Sequence, residues 1–323
     1  MDPSVNLRQE QLVDLVDAKS TLSGSGSDEA DAAGFNESKP VETLPVGPIP
    51  KRKGSVFLNT PTAPNAKLYS MNGAKRGKVL IFDQVTFDDK SYPKRTGTDK
   101  DVERLYHGLP RLGFQKENIE VYEDMNSSEI YRTAVKLEND ADLEKSDCLV
   151  VVILTHGEEN DMLMAKDGQY SLYKFIENFT PTTLNSMAGK PKLFIVQACR
   201  GKKLDHGVQL RASQIQTDSA KDQVDSQTKI FTYPEFADLV VVMSSHHGHY
   251  SFRNEQGSWL IQELCTVIES CDLETDSIYD ILTETNNAVS KRISNSDGEL
   301  DKKKQIPSFY STLTKKLYFR PSK

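Results

Sequence analysis

The chain has 323 residues, with Lys+Arg 40 against Asp+Glu 47, a net charge of −7 and 37% hydrophobic residues. That length suits one large α/β domain with tails or two small ones; the acidity argues against nucleic acid as a partner, and the longest apolar run, residues 148–154, is far short of the roughly 18 needed to cross a membrane. Four scattered cysteines (Cys148, Cys199, Cys265 and Cys271) form neither a disulfide framework nor CxxC metal pairs, and the first thirty residues are polar and lack a signal-peptide core, so a soluble protein of a reducing compartment is expected.

Residues 1–70 hold half of the 14 prolines but only Phe35, Phe57 and Tyr69 among the aromatics, and the stretch 23–34 is small, polar and turn-rich. Such composition cannot bury enough apolar surface to offset its ordering entropy, which predicts a disordered leader. The folded part is expected to begin near Arg76. Apolar runs at 79–82, 148–154, 193–196 and 239–243 are rich in Val and Ile and do not alternate with polar residues. They read as strands of a parallel sheet covered on both faces, with 119–121 a fifth. Helical spacing joins Val102, Leu105, Tyr106, Leu109 and Leu112, with Pro110 expected to end that helix early. Asn126 followed by Glu129 predicts a capping box opening a helix to about Leu137. Two more helices are marked by Leu260, Ile261, Leu264 and Ile268, and by Ile278, Ile281, Leu282 and Val289. Residues 313–319 read as the last strand. The alternation predicts an α/β fold, a mainly parallel central sheet flanked by helices on both faces. Residues 201–233 carry many Gln and Asp and no periodicity; a loop that long in a compact domain has to be functional or cleaved.

Two of the apolar runs end in reactive side chains: Thr155-His156-Gly157 and Gln197-Ala198-Cys199-Arg200-Gly201. The carboxyl ends of parallel strands form a ligand crevice, and a thiol beside an imidazole there suits nucleophilic catalysis. The adjacent glycines allow close approach of substrate to backbone amides. Cys148, Cys265, Cys271, His107 and His206 read as structural.

The pentapeptide at 197–201 matches the caspase signature, a histidine lying 43 residues upstream where the family places it about 50 away. Further segments resemble the family in order: Arg95-Thr96-Gly97-Thr98-Asp99, His156-Gly157-Glu158, Gly189-Lys190-Pro191-Lys192-Leu193-Phe194, Tyr250-Ser251-Phe252-Arg253-Asn254 with Gly257-Ser258-Trp259, and Gln305-Ile306-Pro307. The resemblance covers about residues 76–320. It implies a cysteine endopeptidase cutting after aspartate, with no cofactor and no metal. By that resemblance Cys199 is the nucleophile and His156 the general acid/base, with the amides of Gly157 and Cys199 as oxyanion hole. Arg95, Gln197 and Arg253 would hold the substrate aspartate, Tyr250, Ser251 and Phe252 would line the neighbouring groove, and Asn254 and Trp259 would face the residue four places before the cut. Two arginines in one pocket are expected to lack a partner until an acidic guest arrives. Phe252 stands where the family usually has tryptophan, and Ser245-His246-His247-Gly248-His249 lacks its usual proline, leaving the preference two places before the cut open.

The resemblance also implies a zymogen cut at Asp31, Asp218 and Asp225. The pieces would be a prodomain at 1–31, a flexible leader at 32–75, a large subunit at 76–218, an excised linker at 219–225 and a small subunit at 226–323. An effector caspase of apoptosis is the implied role: cytoplasmic, activated by an upstream initiator caspase, bound by inhibitor-of-apoptosis proteins, and a homodimer of large–small units paired through the strand at 313–319. Lys51-Arg52-Lys53 would serve as a basic docking site for acidic substrates. The alternatives are a catalytically weak caspase-like scaffold, a metacaspase or legumain-like protease, which the two arginines disfavour, and a nucleotide-binding protein, for which no glycine-rich phosphate loop follows a strand.

Overall fold

The Val/Ile runs pair into a six-stranded sheet in the computed structural model, which describes residues 15–16, 60–201, 203–207, 234–296 and 298–321. Its strands are β1 (Lys75–Asp83), β2 (Ile119–Glu123), β3 (Ser146–Leu154), β4 (Lys192–Gln197), β5 (Leu239–Met243) and β6 (Ser308–Ser311). The spatial order is β6-β5-β4-β3-β1-β2; every pair is parallel except β5–β6. β3, β4 and β5 are buried at every position, as strands covered on both faces must be, whereas the edge strand β2 is buried only at Ile119 and leaves Val121 exposed.

Successive side chains point to opposite faces, so the strands feed two cores. Val79, Ile81, Val150, Val152, Leu193, Ile195, Val240 and Val242 pack with helices α1 (Thr98–Gly108), α3 (Trp259–Ser270) and α4 (Ile278–Lys291). Leu80, Phe82, Val151, Ile153, Phe194 and Val241 pack on the other face with α2 (Ser127–Lys136) and with Phe175 and Phe179. α1 ends at Gly108 and gives way to a 3-10 turn holding Pro110, which has no amide to continue the ladder. Tyr106, placed by spacing on the inward stripe, is exposed. The box at Asn126 and Glu129 caps α2: the Asn126 amide donates to Glu129 Oε2 at 2.9 Å.

Three expectations need correcting. Residues 60–70, read as leader, are folded: Tyr69 is buried, its amide donates to the Lys316 carbonyl and its hydroxyl to Asp238. Residues 313–319 are not the last strand. Leu317 and Phe319 are buried in the core, with Phe319 beside Phe114, so their apolar alternation serves packing rather than pairing, and β6 occupies the sheet edge instead. The segment at 201–233 does not begin as a bare loop: Lys203 bridges to His249 and Asp205 to Lys304. Residues 208–233, with Asp218 and Asp225, lie outside the described residues, as do Asp31 and the run at 51–53.

Candidate active site

Strand register sets the site. Leu154 of β3 is level with Gln197 of β4, and Asp83 of β1 with Leu154. The ladder continues past the strand ends, the Thr155 amide donating to the Gln197 carbonyl at 3.0 Å and the Gln84 amide to the Leu154 carbonyl at 2.9 Å. His156 and Cys199 each lie two residues beyond a paired position on neighbouring strands, which run about 4.8 Å apart. The two turns are in contact: a Cβ placed on Gly157 would sit 2.1 Å from the Cys199 carbonyl oxygen. Only glycine permits that approach.

His156 is fully buried, its ring against Phe87 and Tyr92 at 4.9 and 5.7 Å. Its Nε2 lies 2.9 Å from the Pro93 carbonyl. A carbonyl only accepts, so the neutral ring carries its proton on Nε2, and Nδ1, buried without a hydrogen-bond partner, holds the lone pair. Burial, with Arg95 nearby, pulls the imidazole down to about 4. Cys199 is buried too; Ser251 donates its amide to Sγ at 3.3 Å, and burial pushes the thiol up to about 12 against the pull of Ser251 and Arg95. The resting pair is therefore neutral thiol and neutral imidazole. Both groups feel Arg95 and Glu158, which places them in one electrostatic pocket.

The backbone before Cys199 is clamped by Ser244, whose Oγ donates to the Ala198 carbonyl at 2.7 Å and accepts from the Ala198 amide at 3.2 Å. After it, Arg200 exchanges backbone hydrogen bonds with Gly248 and His249, and its guanidinium grips Asp161 through two bonds of 2.6 and 3.0 Å. Gln197 donates to Ser251 Oγ at 3.1 Å. Gln305 ties the site to the groove, donating to the Ser244 carbonyl at 2.7 Å and accepting from the Phe252 amide at 2.6 Å.

Arg95 and Arg253 are both buried close to this edge. Contrary to the expectation of a partnerless pair, Arg95 is held by Asp83 at 3.5 Å, the Gln84 carbonyl at 3.2 Å and Thr98 Oγ1 at 2.9 Å. Burial lowers its affinity for its proton and raises that of Asp83. The Arg253 Nε donates to the Thr96 carbonyl at 2.7 Å, and burial brings this guanidinium down to about 9. The turn between them requires Gly97, at φ 84°, because a Cβ there would strike the Asn254 carbonyl at 2.2 Å. Phe252 and Trp259 are both buried and stack on each other, ring centroids 5.0 Å apart. Tyr250 is half-buried, and Asn254 Oδ1 accepts from the Gln256 amide at 2.9 Å. The structure thus brings His156, Gly157, Gln197 and Cys199 to the carboxyl ends of β3 and β4, with Ser251 in contact with Gln197 and Cys199, while Phe252 and Trp259 are packed on each other, away from solvent. Pro93, Asp161 and Ser244 were not singled out in the sequence, and Gln305 stood there only within a matching segment; each acts by holding a neighbour.

The family model described as "Caspase domain" matches residues 76–318. The chain is a caspase. As a member of that family it is a thiol protease, a hydrolase specific for aspartate. Caspase-1 of Spodoptera frugiperda is 34% identical over 311 residues, 95% of either chain, and caspase-6 of Gallus gallus is 34% identical over 92% of this caspase and 99% of its own length. Caspase drICE of Drosophila melanogaster is 36% identical over 79% of this chain and 73% of its own. The crystal structure of the Spodoptera frugiperda caspase-1 superposes with a TM-score of 0.73 at 33% identity, covering 83% of this chain and 99% of that one. No helix among the described residues is long and apolar enough to cross a membrane.

Proposed function

We propose that this caspase is an effector-type protease that cuts proteins after aspartate in DxxD-like sequences, with Cys199 as nucleophile and His156 as general base and acid. The observation that carries the reading is the tautomer fixed by Pro93, which leaves the His156 Nδ1 lone pair at the level of the Cys199 turn. Nδ1 takes the thiol proton as Sγ attacks the carbonyl carbon, so no resting thiolate is needed. The amides of Gly157 and Cys199 stabilise the oxyanion. His156 then returns the proton to the leaving amine, and water hydrolyses the thioester. Arg95, Gln197 and Arg253 hold the substrate aspartate; Tyr250, Ser251 and Phe252 line the adjoining groove, and Asn254 and Trp259 meet the residue four places earlier. A guanidinium binds a carboxylate through parallel charge-assisted bonds.

Activation follows a cut after Asp218, then trimming after Asp225 and Asp31, giving chains of residues 32–218 and 226–323. The Asp-Gln-Val-Asp sequence at 222–225 supports self-trimming at its last residue. Large–small units dimerise through the outer edge of β6, where Tyr310 and Tyr173 are exposed and stacked. An initiator caspase upstream, inhibitor-of-apoptosis proteins and a cytoplasmic location complete the reading. The test is hydrolysis of fluorogenic Asp-Glu-Val-Asp and Asp-Glu-Val-Asn peptides by wild type and Cys199→Ala. The Asp peptide should be favoured by at least 10², because the neutral amide of Asn cannot make the charge-assisted bonds that a carboxylate makes to a guanidinium, with no turnover by the variant. Equal rates on the two peptides, or activity in Cys199→Ala, would refute it.

A further inference from the structure

Asp101, in the first turn of α1, is fully buried, and the mechanism proposed above does not use it. Its Oδ1 accepts from the Ser258 amide at 2.8 Å and from Gln262 Nε2 at 3.2 Å. Ser258 is paired with Arg253 across the antiparallel strands Gly257–Ser258 and Phe252–Asn254, so this carboxyl anchors the strands that carry Arg253. The fit is close: a Cβ on Gly257 would lie 2.5 Å from Asp101 Oδ1. Oδ2 makes no hydrogen bond, and the Ser258 hydroxyl is buried without a partner as well. Two guanidinium groups, Arg95 and Arg253, and two carboxyls, Asp83 and Asp101, are thus buried close to this edge of the sheet. The two carboxyls are compensated unequally. Asp83 touches the Arg95 guanidinium and receives the Thr98 hydroxyl, both of which favour its charged form. Both donors to Asp101 are neutral, and it has no ion pair among the described residues. Burial pushes it up to about 7, against the hydrogen bonds of Ser258 and the pull of Arg95. The other titratable groups facing it each hold one state there. Arg95 is cationic, and Cys265 of α3, pushed by burial up to about 12, is a neutral thiol.

We infer that Asp101 is a positioning residue of the aspartate pocket that takes up a proton when a substrate carboxylate docks on Arg95 and Arg253. The inference rests on the proposed role of those two arginines. With Asp83 and Asp101 ionised, the buried cluster is neutral, two positive charges against two negative. A third carboxylate would leave it with a net negative charge, and an uncompensated buried charge is costly. One proton from solvent on Asp101 Oδ2 restores the balance, while Oδ1 keeps its bonds to Ser258 and Gln262 in either state. Asp83 does not yield as readily, because protonation would weaken its charge-assisted contact with Arg95. A substrate with asparagine in that place adds no charge and calls for no proton. The sign follows by linkage: the bound state holds its proton more tightly, so aspartate binds best below pH 7 and less well as Asp101 ionises. An ionised neighbour on a shared cation weakens binding roughly tenfold, which corresponds at pH 7 to uptake of about 0.4 of a proton.

The experiment uses the active enzyme and its Asp101→Asn variant, which keeps the Oδ1 acceptor and loses only the charge. The ligands are Asp-Glu-Val peptides ending in the amino alcohol of Asp or of Asn, which offer Sγ no carbonyl to attack. Calorimetry at pH 7 in two buffers of different protonation enthalpy counts the protons, and affinity is followed from pH 6 to 8.5. Wild type should take up about 0.4 of a proton with the Asp ligand and none with the Asn ligand. Its affinity for the Asp ligand should fall several-fold across that range. Asp101→Asn should take up none and bind almost independently of pH. An infrared difference spectrum of wild type reads the same event without the variant: the Asp ligand should add a protonated-carboxyl band. Suppose the Asp ligand binds more tightly than the Asn ligand, but with no proton uptake, no such band, or an uptake that persists in Asp101→Asn. Any of these overturns the inference and spares the pocket. Equal affinity for the two ligands overturns both.

Discussion

Replacing Gly157 by alanine tests how closely the two catalytic turns must approach. The added Cβ would lie 2.1 Å from the Cys199 carbonyl oxygen and 3.0 Å from the Ala198 Cβ, where ordinary contact begins at 3.4 Å. The carbonyl belongs to rigid backbone clamped through Ala198 by Ser244, so the His156 turn has to retreat by about 1 Å. A misplacement of that size costs on the order of 10²-fold in rate, about 2.7 kcal/mol. Overpacking a buried site costs about 1–3 kcal/mol of stability, or a Tm lower by roughly 2–12 °C for a domain of this size. The assay is kcat/KM on Asp-Glu-Val-Asp peptide, with active enzyme counted by stoichiometric alkylation of the nucleophile. Gly168→Ala is the comparison without a clash, since nothing lies within 4 Å of the added carbon, and any loss it shows comes from its φ of 151°, a strain Gly157 does not share. A Gly157→Ala enzyme within threefold of wild type would show that the turns do not need this contact.

Arg95→Ala should lower kcat/KM by at least 10² and strand the buried Asp83 carboxylate, at about 3–5 kcal/mol; adding Asp83→Asn should recover much of the Tm but none of the activity, and recovery of both would mean Arg95 is only a structural cation. His156 titrates near 4 when folded and near 6.5 when unfolded, so its contribution is whole above about 6.5 and drains away as pH falls towards 4, by up to about 3 kcal/mol. Urea midpoints from pH 7 to 4 should therefore fall more steeply for wild type than for His156→Gln, and parallel curves would contradict the burial argument. Tyr69→Phe removes the hydroxyl that donates to Asp238 and accepts from the Thr314 amide at 2.9 Å; it should cost about 1–3 kcal/mol in thermal unfolding and leave KM unchanged, whereas an unaltered Tm would show that the 60–70 segment adds no stability.

The central sheet was legible because strands buried on both faces must be almost wholly apolar, and because Pro110 and the Asn126–Glu129 pair punctuate their helices by local chemistry. The hairpin of Met162–Ala165 with Gly168–Ser171 was not legible: it is short and half polar, and depends on the Thr155 hydroxyl donating to the Met164 carbonyl and on the Met164 amide reaching His156. Residues 313–319 misled because alternation reports one buried face, which a segment packed on a helix layer shows as well as a strand does. At the site, the reactive side chains could be read from their motifs. The partners of those side chains could not: Asp83 precedes Arg95 by twelve residues, and Gln305 follows Ser244 by sixty-one. Such long-range pairing leaves no local spacing to read.

The seam between β4 and β5 has a further consequence. Residues 208–233 join those two strands in sequence, yet the strands lie side by side in the middle of the sheet, and both apolar layers run across them. Tyr69 and Arg76, from the first part of the chain, also reach the Lys316 and Arg320 carbonyls of the last. Breaking the chain anywhere in 208–233 removes none of these contacts. It changes the molecularity of unfolding instead, because one chain becomes two that must find each other again. The melting point of the cut protein would then rise with its concentration, as that of the intact chain would not, and denaturation would become a step from which recovery is second order.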